Sequence, residues 1–212
     1  MPDHGPVGGR RKRALDLAIA LPLAVVLTPV MAAVAVMVRR DSPGPALFRQ
    51  QRIGYAGRPF TLLKFRTMVV GAEGMGAGLA VTDGDSRITR LGATLRRLSL
   101  DELPQLWNIV RGDMSLVGPR PTVASQVERY DARQRGRLLA RPGLTGLAQV
   151  TGRNAIPWSE RIEIDLAYVG GWSMRRDLGI LARTALVVLR SEGTYKGPRG
   201  GFDLPPPGAP DG

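Results

Sequence analysis

The sequence predicts an α+β domain, mostly helical, in which an N-terminal re-entrant membrane helix leads into a small globular part with a short β-hairpin and membrane-surface amphipathic helices. Three observations carry that expectation. Residues 14–38 form one apolar run with arginines on both sides. Two short strand-like segments then flank a glycine turn, and helical spacing dominates the remainder. At 212 residues the chain suits one globular domain plus a short appendage. The organisation read from composition is a tail over 1–9, a basic flank and re-entrant helix over 10–40, a catalytic domain over 41–192 and a Pro/Gly-rich tail over 193–212.

The apolar run, ALDLAIALPLAVVLTPVMAAVAVMV, is interrupted by Asp16 near its start and Thr28 in its middle. As a straight helix it would reach roughly 35 Å, enough to cross a bilayer core of about 30 Å. Pro22 and Pro29 each remove a helical hydrogen bond, so a kink or break is expected in the middle. Arg10-Arg11-Lys12-Arg13 precede the run and Arg39-Arg40 follow it, so the positive-inside preference gives a crossing helix no orientation. A hairpin that dips in and returns satisfies both basic clusters; a crossing helix is the second reading. A cleaved signal peptide fits worst, because the run is long and charged residues stand where a cleavage site is wanted. Asp16 is costly at a membrane boundary unless paired, and Lys12 or Arg13, one turn earlier, is its expected partner.

Ser42-Pro43-Gly44-Pro45 ends the run as a turn. ALFRQQRIG and RPFTLLKFRTM read as two strands around the Gly54–Gly57 turn. Residues 71–86 are Gly-rich, carry Asp83 and Asp85, and read as a mobile surface loop. Helical spacing follows in RITRLGATLRRL, LPQLWNIVRG and the 122–139 stretch, then a turn-rich loop at 141–146, then helices at 158–169 and 177–190. The last begins with Asp177 as N-cap. Its wide apolar face suits either a membrane surface or a core.

The formal charge of +12 attracts polyanions, whether nucleic acid, anionic lipid or a phosphorylated substrate. Nearly all of it is arginine, whose planar fork grips phosphate oxygens in pairs, although genome base composition also enriches arginine. With no cysteine and one histidine, His4, thiolate sites, histidine triads and histidine metal clusters are excluded. Aromatic residues are only 5% and are not interleaved with basic ones, which argues against a nucleic-acid-binding module.

The chemistry concentrates in RRLSLDELPQLWNIVRGDMSLVGPRP, residues 96–121. Ser99-x-x-Glu102 matches a capping box, so Asp101 and Glu102 can serve simply to start a helix. Adjacent carboxylates can equally hold Mg²⁺ together with substrate phosphates, and a carboxylate can attack phosphorus and carry a covalent intermediate. Arg96, Arg97, Arg111 and Arg120 lie near them in sequence. Arg120, stiffened between Pro119 and Pro121, suits a phosphate clamp; a solvated turn arginine is its alternative. Lys64 and Arg66 share one strand face, with Phe65 on the other.

Taken together, Thr28-Pro29 in the apolar run, KFRTM at 64–68, SLDELPQLWN at 99–108, GDMSLVGPRP at 112–121, RPGLTGLAQVTGR at 141–153 and Asp165/Tyr168 resemble the bacterial sugar transferases, the monotopic phosphoglycosyl transferases that begin lipid-linked glycan assembly. The resemblance spans roughly residues 10–196 and suggests the minimal catalytic form of that family. It implies a re-entrant helix broken at Thr28-Pro29, a membrane-entry pair at Arg13 and Asp16, and a catalytic dyad at Asp101 and Glu102. By that analogy Asp101 attacks the β-phosphorus of a UDP-sugar and UMP leaves. Polyprenyl phosphate then takes the phosphosugar, primes an exopolysaccharide, capsule, O-antigen or glycoprotein, and hands it to downstream glycosyltransferases. Mg²⁺ at Asp101 and Glu102, with Lys64, Arg66, Arg96, Arg120 and Arg141 on the phosphates, would neutralise charge. A direct single-step transfer assisted by Glu102 or a water is the competing mechanism. The implied location is the cytoplasmic face of the bacterial inner membrane.

Overall fold

The computed structural model of the chain describes residues 5–75, 81, 84–152, 156–190 and 202–205. The apolar run forms two helices, α1 (Gly9–Val26) and α2 (Thr28–Asp41), bent by 58° at Leu27. Pro29 sits in the first turn of α2, where a missing N–H costs nothing. Pro22 was expected to contribute a kink but stays inside α1 without ending it. At the bend the Thr28 hydroxyl donates to the Ala24 carbonyl at 2.7 Å, so a helix carbonyl at the break keeps a partner. Neither helix alone is long and apolar enough to cross a membrane.

The hairpin appears as expected, with β1 (Leu47–Ile53) antiparallel to β2 (Pro59–Phe65) and Ile53 opposite Pro59. A short α3 (Arg90–Arg97) follows, capped by Thr89, whose hydroxyl accepts from the Gly92 N–H. Next come a 3₁₀ turn at Leu100–Glu102 and α4 (Gln105–Arg111). Asn108 on α4 works as a substitute strand along the open edge of β2. Its carboxamide accepts from the Leu63 N–H at 3.0 Å and donates to the Thr61 carbonyl at 2.7 Å. That contact fixes α4, and the dyad before it, against β2.

Residues 115–145 hold a parallel bridge that the sequence did not suggest, between β3 (Ser115–Val117) and β4 (Gly143–Thr145). The backbones are so close at Gly118 and Gly143 that a Cβ on Gly143 would stand 2.1 Å from the Gly118 nitrogen. The single helix expected over 122–139 is instead α5 (Ala124–Val127) and a 3₁₀ segment at Gln134–Leu139. Asp131 interrupts it by capping the second piece reciprocally: its carboxylate accepts from the Gln134 backbone N–H, and the Gln134 side-chain Oε1 accepts from the Asp131 N–H. The rest is α6 (Leu147–Thr151), α7 (Trp158–Gly170) and α8 (Met174–Arg190).

Asp177 is not the N-cap of α8. The helix starts a turn earlier, Ser173 takes the capping role by accepting from the Arg176 N–H, and Asp177 is fully buried. There it pairs with Lys12 at 2.5 Å and accepts from Tyr168 and Trp172. Lys12 is therefore not the partner of Asp16. Asp16 accepts from the Ser115 hydroxyl and the Leu116 N–H, both at 2.9 Å. Arg13 donates to the Ile109 and Val110 carbonyls at the C-terminus of α4. The expected pairing of Arg13 or Lys12 with Asp16 is thus replaced by three separate ties from the base of α1 to α4, β3 and α8.

Of the loop expected at 71–86, residues 76–80 and 82–83, with Asp83, lie outside the described residues. Asp85 is an ion-pair partner of Arg87, which also donates to the Ala72 and Met75 carbonyls. Part of the expected tail is ordered against the domain. Leu204 is buried with Val127, Tyr130 and Ile162.

Candidate active site

Asp101 and Glu102 reach their positions through the backbone at Ser99, which adopts a left-handed conformation with φ 56°. That conformation is uncommon outside glycine and marks a locally over-determined turn. It also dismantles the expected capping box, because the Ser99 side chain caps nothing. The dyad sits before α4 rather than starting it.

The two carboxylates differ sharply. Glu102 Oε1 is gripped by Lys64 Nζ at 2.7 Å and Arg120 Nη2 at 3.0 Å. Although burial works against its charge, Lys64 and Arg120 together hold Glu102 well below the usual carboxylate range. Asp101 is buried, and its carboxylate takes part in no hydrogen bond or ion pair among the described residues. Burial, and secondarily the Glu102 charge, push it up, against the pull of Lys64, Arg96 and Arg120.

Both carboxylates line a cavity of about 1860 Å³, well above the roughly 300–1,000 Å³ of a single small-ligand site. Part of the lining is apolar and comes from α1, the Leu27 bend, α6 and α8, with Ile19, Leu23, Leu27, Val150, Leu181 and Val187. Another part of the lining is cationic and aromatic, with Arg52, Arg120, Arg129, Trp158, Arg161 and Phe202. Burial, then the like charge of Arg120, pushes both Arg52 and Arg161 down to about 10. They stay charged at neutral pH, and an anion bound among the three arginines relieves their repulsion.

Arg120 is placed from behind. Arg137 donates to its carbonyl at 3.0 Å and is itself held by the buried Asp165 at 2.6 Å and Tyr130 at 2.6 Å. Asp165 thus acts as an anchor for Arg120, three residues beyond the end of β3 and next to the close Gly118–Gly143 approach.

Of the anticipated phosphate ligands, Lys64, Arg96 and Arg120 surround the dyad. Arg96 donates to the Thr67 hydroxyl and contributes to the field at Asp101. Arg66 borders the cavity, but its guanidinium is taken up by the Pro45, Ser42 and Val38 carbonyls and the Ser42 hydroxyl, so it closes the C-terminus of α2. Strand alternation put Lys64 and Arg66 on one side, but the strand ends at Phe65, and the two cations part there. Arg141 does not line the cavity; its neighbours are Arg13, Asp16 and Tyr55. In its place stand Arg52 and Arg161, which the sequence reading passed over. The available signal was the position of Arg161 on the inward face of α7, three residues from Trp158 and four from Asp165.

A carboxylate dyad in a cationic pocket that opens onto an apolar wall defines a site for anionic groups delivered to, or taken from, an apolar partner. The sequence pattern of the bacterial sugar transferases matches residues 8–191, and the chain belongs to that family. It is 45% identical over 193 residues to a UDP-glucose:undecaprenyl-phosphate glucose-1-phosphate transferase of Caulobacter vibrioides, covering 87% of this chain and 72% of that one. It is 41% identical over 204 residues to the exopolysaccharide production protein ExoY of Sinorhizobium fredii, covering 90% of both. A UDP-galactose-lipid carrier transferase of Erwinia amylovora is 42% identical over 198 residues, 87% of this chain but 41% of the Erwinia protein, so the chain spans less than half of that longer relative.

Proposed function

We propose that the protein transfers a sugar-1-phosphate from a UDP-sugar to polyprenyl phosphate at the cytoplasmic face of the bacterial inner membrane, through a phosphosugar on Asp101. The observation that carries this reading is the contrast within the dyad: Asp101 lines the cavity and makes no hydrogen bond or ion pair among the described residues, whereas Glu102 is clamped by Lys64 and Arg120. An Asp101 oxygen attacks the β-phosphorus, and the bond from that phosphorus to the bridging oxygen breaks. UMP leaves with that oxygen. An oxygen of polyprenyl phosphate then attacks the same phosphorus and frees the Asp101 carboxylate, yielding polyprenyl-diphosphate-sugar. Glu102 is a poor general base, since Lys64 and Arg120 stabilise its charged form; this argues against the single-step alternative. Its work is to hold those two cations toward the phosphates.

The apolar wall supports a lipid acceptor, and the exposed residues around the helix bend support membrane insertion. Val25 and Val26 are 59% and 70% exposed, and Val30 and Val36 are nearly half exposed. Such a patch costs free energy in water and is relieved in lipid. With both ends of the bent pair tied to the globular part, a re-entrant helix follows more naturally than a crossing one.

Among the described residues no cluster of three or more carboxylate or histidine side chains stands ready to hold a metal. Asp101 and Glu102 nevertheless fit Mg²⁺ arriving on a diphosphate, which requires only one or two protein carboxylates. Bound there, the ion supplies charge neutralisation; Lys64 and Arg120 already provide part of it. The relatives named for exopolysaccharide production suggest that the product primes such a glycan for later glycosyltransferases. The test is incubation with Mg²⁺, undecaprenyl phosphate and a panel of UDP-sugars. UMP release that requires the lipid phosphate is expected; no UMP with any donor rejects the reading.

A further inference from the structure

Helix α7 begins without a cap of its own, since its N-cap is Pro157. The cap comes from a residue far along the chain. Asp203 accepts from the Ser159 N–H at 2.9 Å and from the Ser159 hydroxyl at 2.5 Å. On either side of it, Leu204 is buried against Val127, Tyr130 and Ile162, and Phe202 meets the Trp158 ring at 5.8 Å. Arg129 fastens the same segment, donating to the Leu204 carbonyl and lying 5.2 Å over the Phe202 ring. These are contacts of a docked segment: one buried apolar anchor, one helix cap and one aromatic pair.

The segment also lies on the cavity. Phe202 lines it beside Trp158, Arg129 and Arg161. The groups form an ordered series from the dyad outward. Glu102 pairs with Arg120, Arg120 acts electrostatically on Arg161, Arg161 stacks on Trp158 at 5.1 Å, and Trp158 meets Phe202. If Asp101 attacks a β-phosphorus, the rest of a nucleotide donor must extend away from Asp101, and its phosphates belong with the arginines. The aromatic pair comes next in line.

We infer that Phe202, Asp203 and Leu204 form a built-in outer wall of the donor end, and that Phe202 and Trp158 line the part that receives the nucleoside of the nucleotide sugar. The inference rests on the functional reading above. Asp203 and Leu204 are positioning residues that hold Phe202; the acceptor end, on the α1 and α8 side, does not involve them.

The test uses the full chain with Phe202→Ala, Asp203→Ala and, as the conservative control, Phe202→Tyr. UDP affinity is measured by calorimetry, and KM is measured separately for the UDP-sugar turned over and for undecaprenyl phosphate. Phe202→Ala is expected to weaken UDP binding and raise the donor KM by about threefold to tenfold, the range of a lost aromatic contact. Asp203→Ala follows in the same direction, the lipid KM and kcat stay put, and Phe202→Tyr restores wild-type values. UDP affinity unchanged in both alanine variants overturns the inference alone, as does an equal rise in the lipid KM. A wild-type chain that neither binds UDP nor releases UMP overturns the functional reading and this inference with it.

Discussion

At the base of α1, Asp177 accepts from Lys12, Tyr168 and Trp172 and is fully buried. At the head of the cavity, Glu102 holds Lys64 and Arg120, while Asp101 beside it makes no hydrogen bond or ion pair among the described residues. The ingredients are the same, carboxylates and cations in a poorly solvated setting. In the first cluster the carboxylate has three donors, and the arrangement fixes one element to another. In the second, Lys64 and Arg120 share one Glu102 oxygen, and both carboxylates line a space large enough for ligands. A saturated cluster indicates architecture; an unsaturated one indicates a place where a substrate completes the bonding.

The strongest way to break this contrast is to neutralise Asp101. Asp101→Asn is expected to lower turnover by at least about 10³-fold, as loss of a covalent nucleophile does, and to abolish trapping of labelled sugar phosphate on the protein. Folding should not suffer. Burial raises Asp101 above its unfolded value, so its charge destabilises the fold at pH 7. That penalty sets in as pH rises through the unfolded pKa, near 3.9, and is complete above the raised folded pKa. Asp101→Asn is therefore expected to keep or raise Tm; a large drop would move Asp101 into the architectural class.

Lys12→Met is the opposite experiment. It strands a buried carboxylate and is expected to cost about 3–5 kcal/mol, read as a fall in Tm in detergent or nanodiscs. Residual turnover per folded molecule should be near normal. Adding Asp177→Leu removes the stranded charge and should recover much of the loss. If Lys12→Met instead abolished turnover without touching Tm, the cluster would not be architectural.

The next effect is on pH dependence. Turnover needs ionised Asp101, so the acid limb of kcat/KM should lie above the ordinary aspartate range. Lys64 is the largest influence lowering that pKa, so Lys64→Met shifts the limb to higher pH. Glu102 raises it, so Glu102→Gln shifts the limb to lower pH while reducing the rate. The two limbs are expected to move in opposite directions from wild type. Equal or parallel shifts would show that the dyad does not titrate as described.

The legibility of these two clusters in the sequence follows from chain distance. Asp101, Glu102 and Arg120 lie within twenty residues, and Lys64 follows from the period of one strand, so local pattern and family resemblance reach them. Asp177 and Lys12 are separated by 165 positions, and local rules assigned each to the wrong role, a helix cap and a neighbour's counter-ion. Arg52 and Arg161 were hidden differently. In a chain with 30 basic residues, an arginine carries little information until its burial is known. The β3–β4 bridge was also missed, because three-residue strands show no alternation and glycine spacing reads equally as turn. Asp203 lay in a composition that normally signals disorder.

The smallest test concerns the bend, where sequence and structure agree most closely. The sequence puts the helix break at Thr28-Pro29; the two helices bend at Leu27 just before it, and the Thr28 hydroxyl donates to Ala24 O there. Thr28→Val keeps the shape and removes the donor, leaving the Ala24 carbonyl short of a partner in apolar surroundings. A loss of about 1 kcal/mol is expected, with Thr28→Ser close to wild type, both read as Tm at equal lipid content. The loss should be larger in bilayer nanodiscs than in detergent if the bend lies in lipid, because water reaches the carbonyl in detergent and substitutes for the hydroxyl. A loss that is the same in both would place the bend at the interface, and the apolar wall of the cavity would then meet the acceptor at headgroup depth instead of below it.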